Sequence, residues 1–312
     1  MKFKYDCNIN DLNCKDFITL IFVIVDDIYK KVVPESVKNR RNRDKLKTSD
    51  SEIITIAICG EIIGCDCENS WFSFIKKNHT DLFPNLCHRT RFNRLRRALL
   101  QTTNLIFTHL VSEFLENEIN NICIADSFPL EVCKFGRAKY CKSFRGDEAK
   151  YGICPSKKET YFGFKINVLT TDSGFIKNFY VTPANVDDRV GLLDMLEDLE
   201  QSSIIIADKG YSGKKFEEEV KEKGHVLLAL QKKNSKEQFD EKTRQLIFKI
   251  RRRIETTFSQ LTCQFNAERV YAKIKNGLYT RLITKFLAFN LCLFINKLFG
   301  IKNIARIKQL VF

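Results

Sequence analysis

Two short apolar runs in this chain end the same way: Ile122-Cys123-Ile124-Ala125-Asp126 and Ile204-Ile205-Ile206-Ala207-Asp208. Each is β-prone, free of Gly and Pro, and closed by an acid, so each reads as a strand with little exposed surface. Adjacent strands would bring the two carboxylates side by side. Two bare carboxylates so placed raise one another's pKa unless a cation sits between them.

The pattern around these runs restricts the topology. Tyr161 to Thr171 and Phe175 to Pro183 read as two strands joined at the turn Asp172-Ser173-Gly174. A helix from about Asp187 to Glu200, the strand closed by Asp208, a helix from about Gly213 to Lys223, a strand Val226 to Leu230 and a long helix through Glu255 follow. That order calls for an α/β fold, a mixed five-stranded sheet with helices on both faces. Residues 1–118 read instead as helices. Ser49-Asp50-Ser51-Glu52 is a capping box opening Ile53 to Ile63, and Trp71 to Lys77 and Arg89 to Leu100 follow. The chain thus divides into an N-terminal helical region 1–118, an α/β region 119–265 and a C-terminal helical region 266–312. The segment Cys133 to Thr160 lacks clear periodicity, mixes Lys and Arg with Phe and Tyr, and is too long for an idle connection.

With 52 Lys+Arg against 38 Asp+Glu in 312 residues, the formal charge is +14, which argues for a polyanionic partner, nucleic acid first. The excess is uneven. Residues 1–118 hold 18 basic and 16 acidic side chains, 119–248 hold 21 and 20, and 249–312 hold 13 and 2. The polyanion is therefore expected across the helix carrying Glu255 and the C-terminal helices. A separate cluster, Arg89, Arg91, Arg94, Arg96 and Arg97, is either a solvated face or the reading helix of a helix-turn-helix-like DNA-binding region.

Other classes fit poorly. The apolar run Leu282 to Phe299 is interrupted by Lys285, Asn290, Asn296 and Lys297 and is expected to pack in a core, so no membrane partner is expected. Met1 to Cys14 lacks the apolar stretch of a signal peptide, which predicts a cytoplasmic protein. The twelve cysteines show no Cys-x-x-Cys and read mostly as buried thiols; Cys65, Cys67, Cys87 and His88 form the one zinc candidate.

A third acid, Glu255, is the only one between Glu241 and Glu268, on a helix with apolar residues at Ile250, Ile254 and Phe258. Taken singly, each acid reads as a cap, a turn residue or an ion-pair partner. Together they form an all-oxygen set of the kind that suits magnesium or manganese, and two such ions clamp an in-line displacement at phosphorus.

At these residues the chain resembles the DDE transposases of bacterial insertion sequences, most closely insertion-sequence group nine-eight-two. The matching motifs are Asp126-Ser127-Phe128-Pro129-Leu130, Ser156-Lys157-Lys158 with Tyr161-Phe162-Gly163-Phe164-Lys165, Asp208-Lys209-Gly210-Tyr211, and Arg253-Ile254-Glu255-Thr256 with Phe258-Ser259-Gln260-Leu261. The resemblance implies a ribonuclease H-like catalytic domain in which Asp126, Asp208 and Glu255 bind two Mg2+ or Mn2+ ions. It also implies cleavage and strand transfer of DNA, both terminal inverted repeats and target, by a homodimer on DNA in a bacterial cytoplasm. Lys165, Lys209, Arg251 and Arg252 are the expected DNA contacts near the triad. Phe248, Arg251 and Glu255 match a broader pattern that expects a Lys where this chain has Thr262, and Asp187 stands where the family often has His. A nuclease of the same fold without strand transfer, and a DNA-binding relic without chemistry, are the alternatives.

Overall fold

The computed structural model describes residues 13–116, 121–144, 149–154, 158–199, 202–231 and 238–310. Cys7, Ser156 and Lys157 lie outside them, as does Met1 to Leu12. Six helices come first: α1 (Cys14–Val32), α2 (Glu35–Lys38), α3 (Asp50–Ile62), α4 (Glu68–Asn78), α5 (Arg89–Ala98) and α6 (Leu100–Leu115). Then follow β1 (Ile122–Lys134), β2 (Lys150–Cys154), β3 (Glu159–Thr171), β4 (Ile176–Pro183), α7 (Asp188–Glu197), β5 (Ile204–Ala207), α8 (Lys214–Glu222), β6 (Val226–Ala229), α9 (Glu241–Cys263) and α10 (Lys275–Leu298).

These elements form two units. One comprises residues 1–117, 264–266 and 275–312, the other 118–263 and 267–274. The C-terminal helices are thus no third region. The reason is in α10, which is buried from Leu282 through Asn296 on all sides and cannot stand as an amphipathic cover. It packs against α3, α6 and α5. Although long and apolar enough to cross a membrane, α10 has 83% of its most apolar window buried within the unit, as a core helix does. The α3 helix has the same all-round burial and starts at the expected capping box, Ser49 accepting from the Glu52 amide and Glu52 reaching back.

The α/β unit holds a six-stranded mixed sheet in the order β2-β3-β1-β5-β6, with β4 also paired to β3. The sixth strand, β2, comes from the segment without visible periodicity. Strand β1 also runs eight residues beyond Asp126, the acid at which the sequence pattern closed it. From Asp126 onward β1 keeps only β3 as a partner, because β5 pairs with it only over Ile122 to Ala125. A proline is tolerated on such an edge, where one side of the strand needs no N–H donor.

Alternation along β1 and β5 serves the two faces of the sheet. Cys123, Ala125, Ile205 and Ala207 join Leu192 and Met195 of α7 and Phe216 and Val220 of α8 in one buried cluster. Ile122 and Ile206 join Ile247 and Ile250 of α9 on the other face. Burying such side chains at about 25 cal/mol per Å2 of apolar surface is the main force holding the helices to the sheet.

Candidate active site

The strand-end acids meet because the two runs pair in register. Strands β1 and β5 are parallel, with Ile122 opposite Ile204 and Ala125 opposite Ala207. The next residues, Asp126 and Asp208, therefore emerge side by side. Both share the parity of Ile124 and Ile206 and so point to the face covered by α9. There β5 ends, and Asp208 caps the following turn by accepting the Lys209 amide at 2.6 Å. That turn is held from two sides. Tyr211 is buried among the α7 and α8 side chains, and desolvation pushes its phenol well above the usual tyrosine range. Arg189 donates to the carbonyl oxygens of Gly210 and Ser212 at 3.2 and 2.6 Å.

Helix α9 delivers the third carboxylate. Its stripe Ile247, Ile254, Thr257 and Leu261 is buried, and Phe258 meets Phe128 of β1 edge-on at 5.1 Å. Its register is fixed at the β3–β4 turn, where Arg253 Nε donates to the Ser173 carbonyl oxygen at 2.8 Å and Thr257 Oγ1 donates to that of Gly174 at 3.3 Å. Gly174 has φ +90°, and a Cβ there would collide with the Arg253 guanidinium.

The three acids converge on one guanidinium. Arg251 Nη2 lies 3.1 Å from Asp126 Oδ2 and 3.8 Å from Asp208 Oδ2, and Nη1 lies 3.5 Å from Glu255 Oε1. Side-chain exposure rises from 15% for Arg251 and 22% for Asp126 to 37% for Asp208 and 60% for Glu255. The guanidinium thus stands in for a cation among the carboxylates, and its Nε is buried without a hydrogen-bond partner. Desolvation pushes the Asp126 carboxyl up to about 6, against the pull of the Ser127 amide and Arg251. Among the described residues no three His, Cys, Asp or Glu side chains already form a metal-binding group. The acids fit Mg2+ or Mn2+ by donor type and by their gathering round a positive charge, and Arg251 has to leave for an ion to take its place.

The expected DNA contacts fall into different settings. Lys209, next to Asp208 in the chain, and Arg252, next to Arg251, are exposed. Lys165 lies opposite Pro129 on the α7 face of the sheet and is tied to Asp188 and to the Val186 carbonyl oxygen, each at 2.9 Å, with Ser127 Oγ also donating to Asp188. It is therefore on the other side of the sheet from the acids. In the helical unit Arg91 and Arg94 are exposed, while Arg89 and Arg97 are half-buried. Arg96 is no surface cation: it is buried with Phe92 and pairs with Glu61 Oε1 at 2.9 Å, beside the Lys285–Glu61 pair at 2.6 Å. Two features were hard to see in the sequence, the Asp188 pairing with Lys165 and Ser127 and the bridging position of Arg251. Only the spacing of Arg251 four residues before Glu255 hinted at the second. His88, of the zinc candidate, caps α5 by accepting the Thr90 amide at 3.4 Å, and Asp187 caps α7 by accepting that of Arg189 at 2.9 Å.

Residues 119–291 match the family described as "Transposase DDE domain". The fold is similar to that of the piggyBac transposase in a cryo-EM structure of its synaptic complex with hairpin DNA, at 12% identity and a TM-score of 0.48, over 94% of this chain and 78% of that one. No curated protein sequence matches the chain.

Proposed function

Since this chain belongs to the DDE-domain transposases, we propose that it binds the ends of a mobile DNA element, cuts them and joins them to target DNA, with Asp126, Asp208 and Glu255 as the working acids. The observation that carries the reading is the convergence of these three carboxylates, from two adjacent strand ends and one helix, on a single positive charge. Asp126 and Asp208 would hold two Mg2+ or Mn2+ ions and Glu255 would complete the set. Such ions supply Lewis acidity to the attacking and leaving oxygens of a phosphodiester, which makes a covalent protein–DNA intermediate unnecessary.

The chain's own residues prepare that step. Register holds Asp126 and Asp208 together, and the Arg253 and Thr257 clamp on the β3–β4 turn holds Glu255 over them. Arg251 offsets the mutual repulsion of the acids in the free protein. Once displaced, its fork has a matching partner in a phosphate of the bound strand. Exposed Lys209 and Arg252 supply further phosphate contacts, and Arg91 and Arg94 give α5 a basic face for duplex DNA.

The bacterial insertion-sequence group, the cytoplasmic location and a homodimer on DNA belong to the same reading and rest on the motif resemblance. Single substitutions Asp126→Asn, Asp208→Asn and Glu255→Gln should each abolish Mg2+-dependent cleavage of an element-end oligonucleotide while leaving its binding intact. Cleavage at the wild-type rate in any of them refutes the assignment. Joined products with a target plasmid separate a transposase from a nuclease that only cuts.

A further inference from the structure

Beyond the acids, the β1–β3 ribbon carries an aromatic row, exposed at Phe135 and Tyr151 and half-buried at Phe162, that the reading above leaves without a task. Phe135, Tyr151 and Phe162 follow one another with ring centroids 5.3 and 5.2 Å apart. Phe135 is 58% exposed and Tyr151 45%, and Ile153 beside them is 72% exposed. Solvent-facing aromatic rows of this kind mark interaction sites.

The strand register places this row on a particular face. Val168 of β3 lies opposite Asp126, and Phe162 lies opposite Cys133 of β1 and Tyr151 of β2. Alternate residues of a strand share a face, so Val168, Ile166, Phe164 and Phe162 all lie on the face that carries Asp126. Phe164 is buried and covered by Phe144 in an edge-on contact at 4.9 Å, and the row emerges one step further on. From Val168 to Phe162 the strand rises about 20 Å. That is roughly six nucleotides of a B-form strand.

Charge identifies the occupant. Residues 131 to 162 hold eight Lys or Arg and four acids. Lys134, Arg137, Lys139 and Lys142 are exposed around the row, and Lys139 Nζ lies 5.0 Å from the centre of the Tyr140 ring. Lysine is depleted from the cores of protein–protein interfaces. Cations that track a backbone, interleaved with rings on which bases stack, are what binds single-stranded nucleic acid.

We propose that Phe135, Tyr151 and Phe162 form a stacking platform for unpaired bases of the DNA strand that enters the site at Asp126, with the surrounding Lys and Arg on its phosphates. The proposal rests on the DNA reading given above. It assigns to Phe135, strand β2 and the start of β3 the task of holding a melted stretch of DNA flanking the cleaved bond.

The test titrates the full chain, without metal, with a single-stranded oligothymidylate carrying 2-aminopurine, whose fluorescence is quenched on stacking, and with duplex DNA of the same length. Tyr151→Ala, Tyr151→Leu and Phe135→Ala should each weaken single-strand binding roughly tenfold or more and relieve the quenching. Tyr151→Phe should keep both, and duplex binding should be unchanged in all four. These side chains are exposed, and an unchanged thermal midpoint confirms the fold. Single-strand binding equal to wild type in the Ala and Leu variants overturns the platform, as does a wild-type chain that binds duplex but not the single strand; both leave the DNA reading standing. A change in self-association without a change in single-strand binding assigns the row to a second copy and also overturns it. Failure to bind either form of DNA removes the platform and the DNA reading together.

Discussion

Replacing Arg251 with Gln removes the charge that the acids share while keeping much of the side chain's length. At 3.1 Å from Asp126, the guanidinium contributes a gross attraction of about 5 kcal/mol at an effective dielectric of 20. Burial of both partners offsets part of this, and breaking one side of a buried pair costs about 3–5 kcal/mol. Asp208 and Glu255 are more than a third exposed, so their pairs with Arg251 add little after screening. We take about 3 kcal/mol, which for a unit of this size lowers the midpoint of thermal unfolding by roughly 6–12 °C. The same change should raise affinity for Mn2+, because the ion no longer has to displace the guanidinium. The gain is at most about 100-fold, since 1.4 kcal/mol is a factor of ten. Calorimetric titration with Mn2+ and scanning with EDTA or with excess Mg2+ read both effects. The variant should be less stable than wild type in EDTA, and Mg2+ should return most of the difference. Equal midpoints in EDTA together with equal Mn2+ affinity would refute the bridging role of Arg251.

Three further outcomes are expected. Asp126 must be deprotonated to take a cation, and burial holds its pKa at about 6; Mn2+ affinity measured by titration should therefore fall as pH drops below about 6 and be flat above it. His225 is buried, accepts the Ser203 amide on Nδ1 at 3.2 Å, and has its pKa lowered by desolvation. Below the ordinary histidine pKa the unfolded chain binds the proton more readily than the folded one, so stability rises with pH from about 5 to 7, and urea midpoints of His225→Gln should lose part of that rise. Gly163 faces the Leu130 carbonyl oxygen where β1 shifts register, and a Cβ there would run into it. Gly163→Ala should lower stability by about 2–3 kcal/mol in urea unfolding, and a change within a few tenths would contradict the close approach of the Leu130 carbonyl.

The acids were legible because each depends on short-range pattern. Asp126 and Asp208 close two runs of equal length whose parallel register copies one onto the other, and Glu255 stands alone in a basic helix. What stayed hidden depends on partners distant in sequence. Arg96 looked like its four neighbours, yet it stands one helical turn beyond Phe92 on the buried side, and its partner Glu61 is 35 residues earlier. Lys165 looked like a phosphate contact until the pairing with Pro129 put it on the opposite face from the acids. Strand β2 is five residues long, with Gly152 and Cys154 turned inward and Tyr151 and Ile153 outward, too little alternation to stand out. The C-terminal helix looked like a separate region because sequence shows that α10 is apolar but not that α3 and α6 cover it.

Crystals grown with saturating Mn2+ and measured for its anomalous scattering test the central claim most directly. The account predicts anomalous density bound by Asp126 and Asp208, with the Arg251 guanidinium turned away from both carboxylates. Manganese bound elsewhere while Arg251 still bridges the three acids would contradict it.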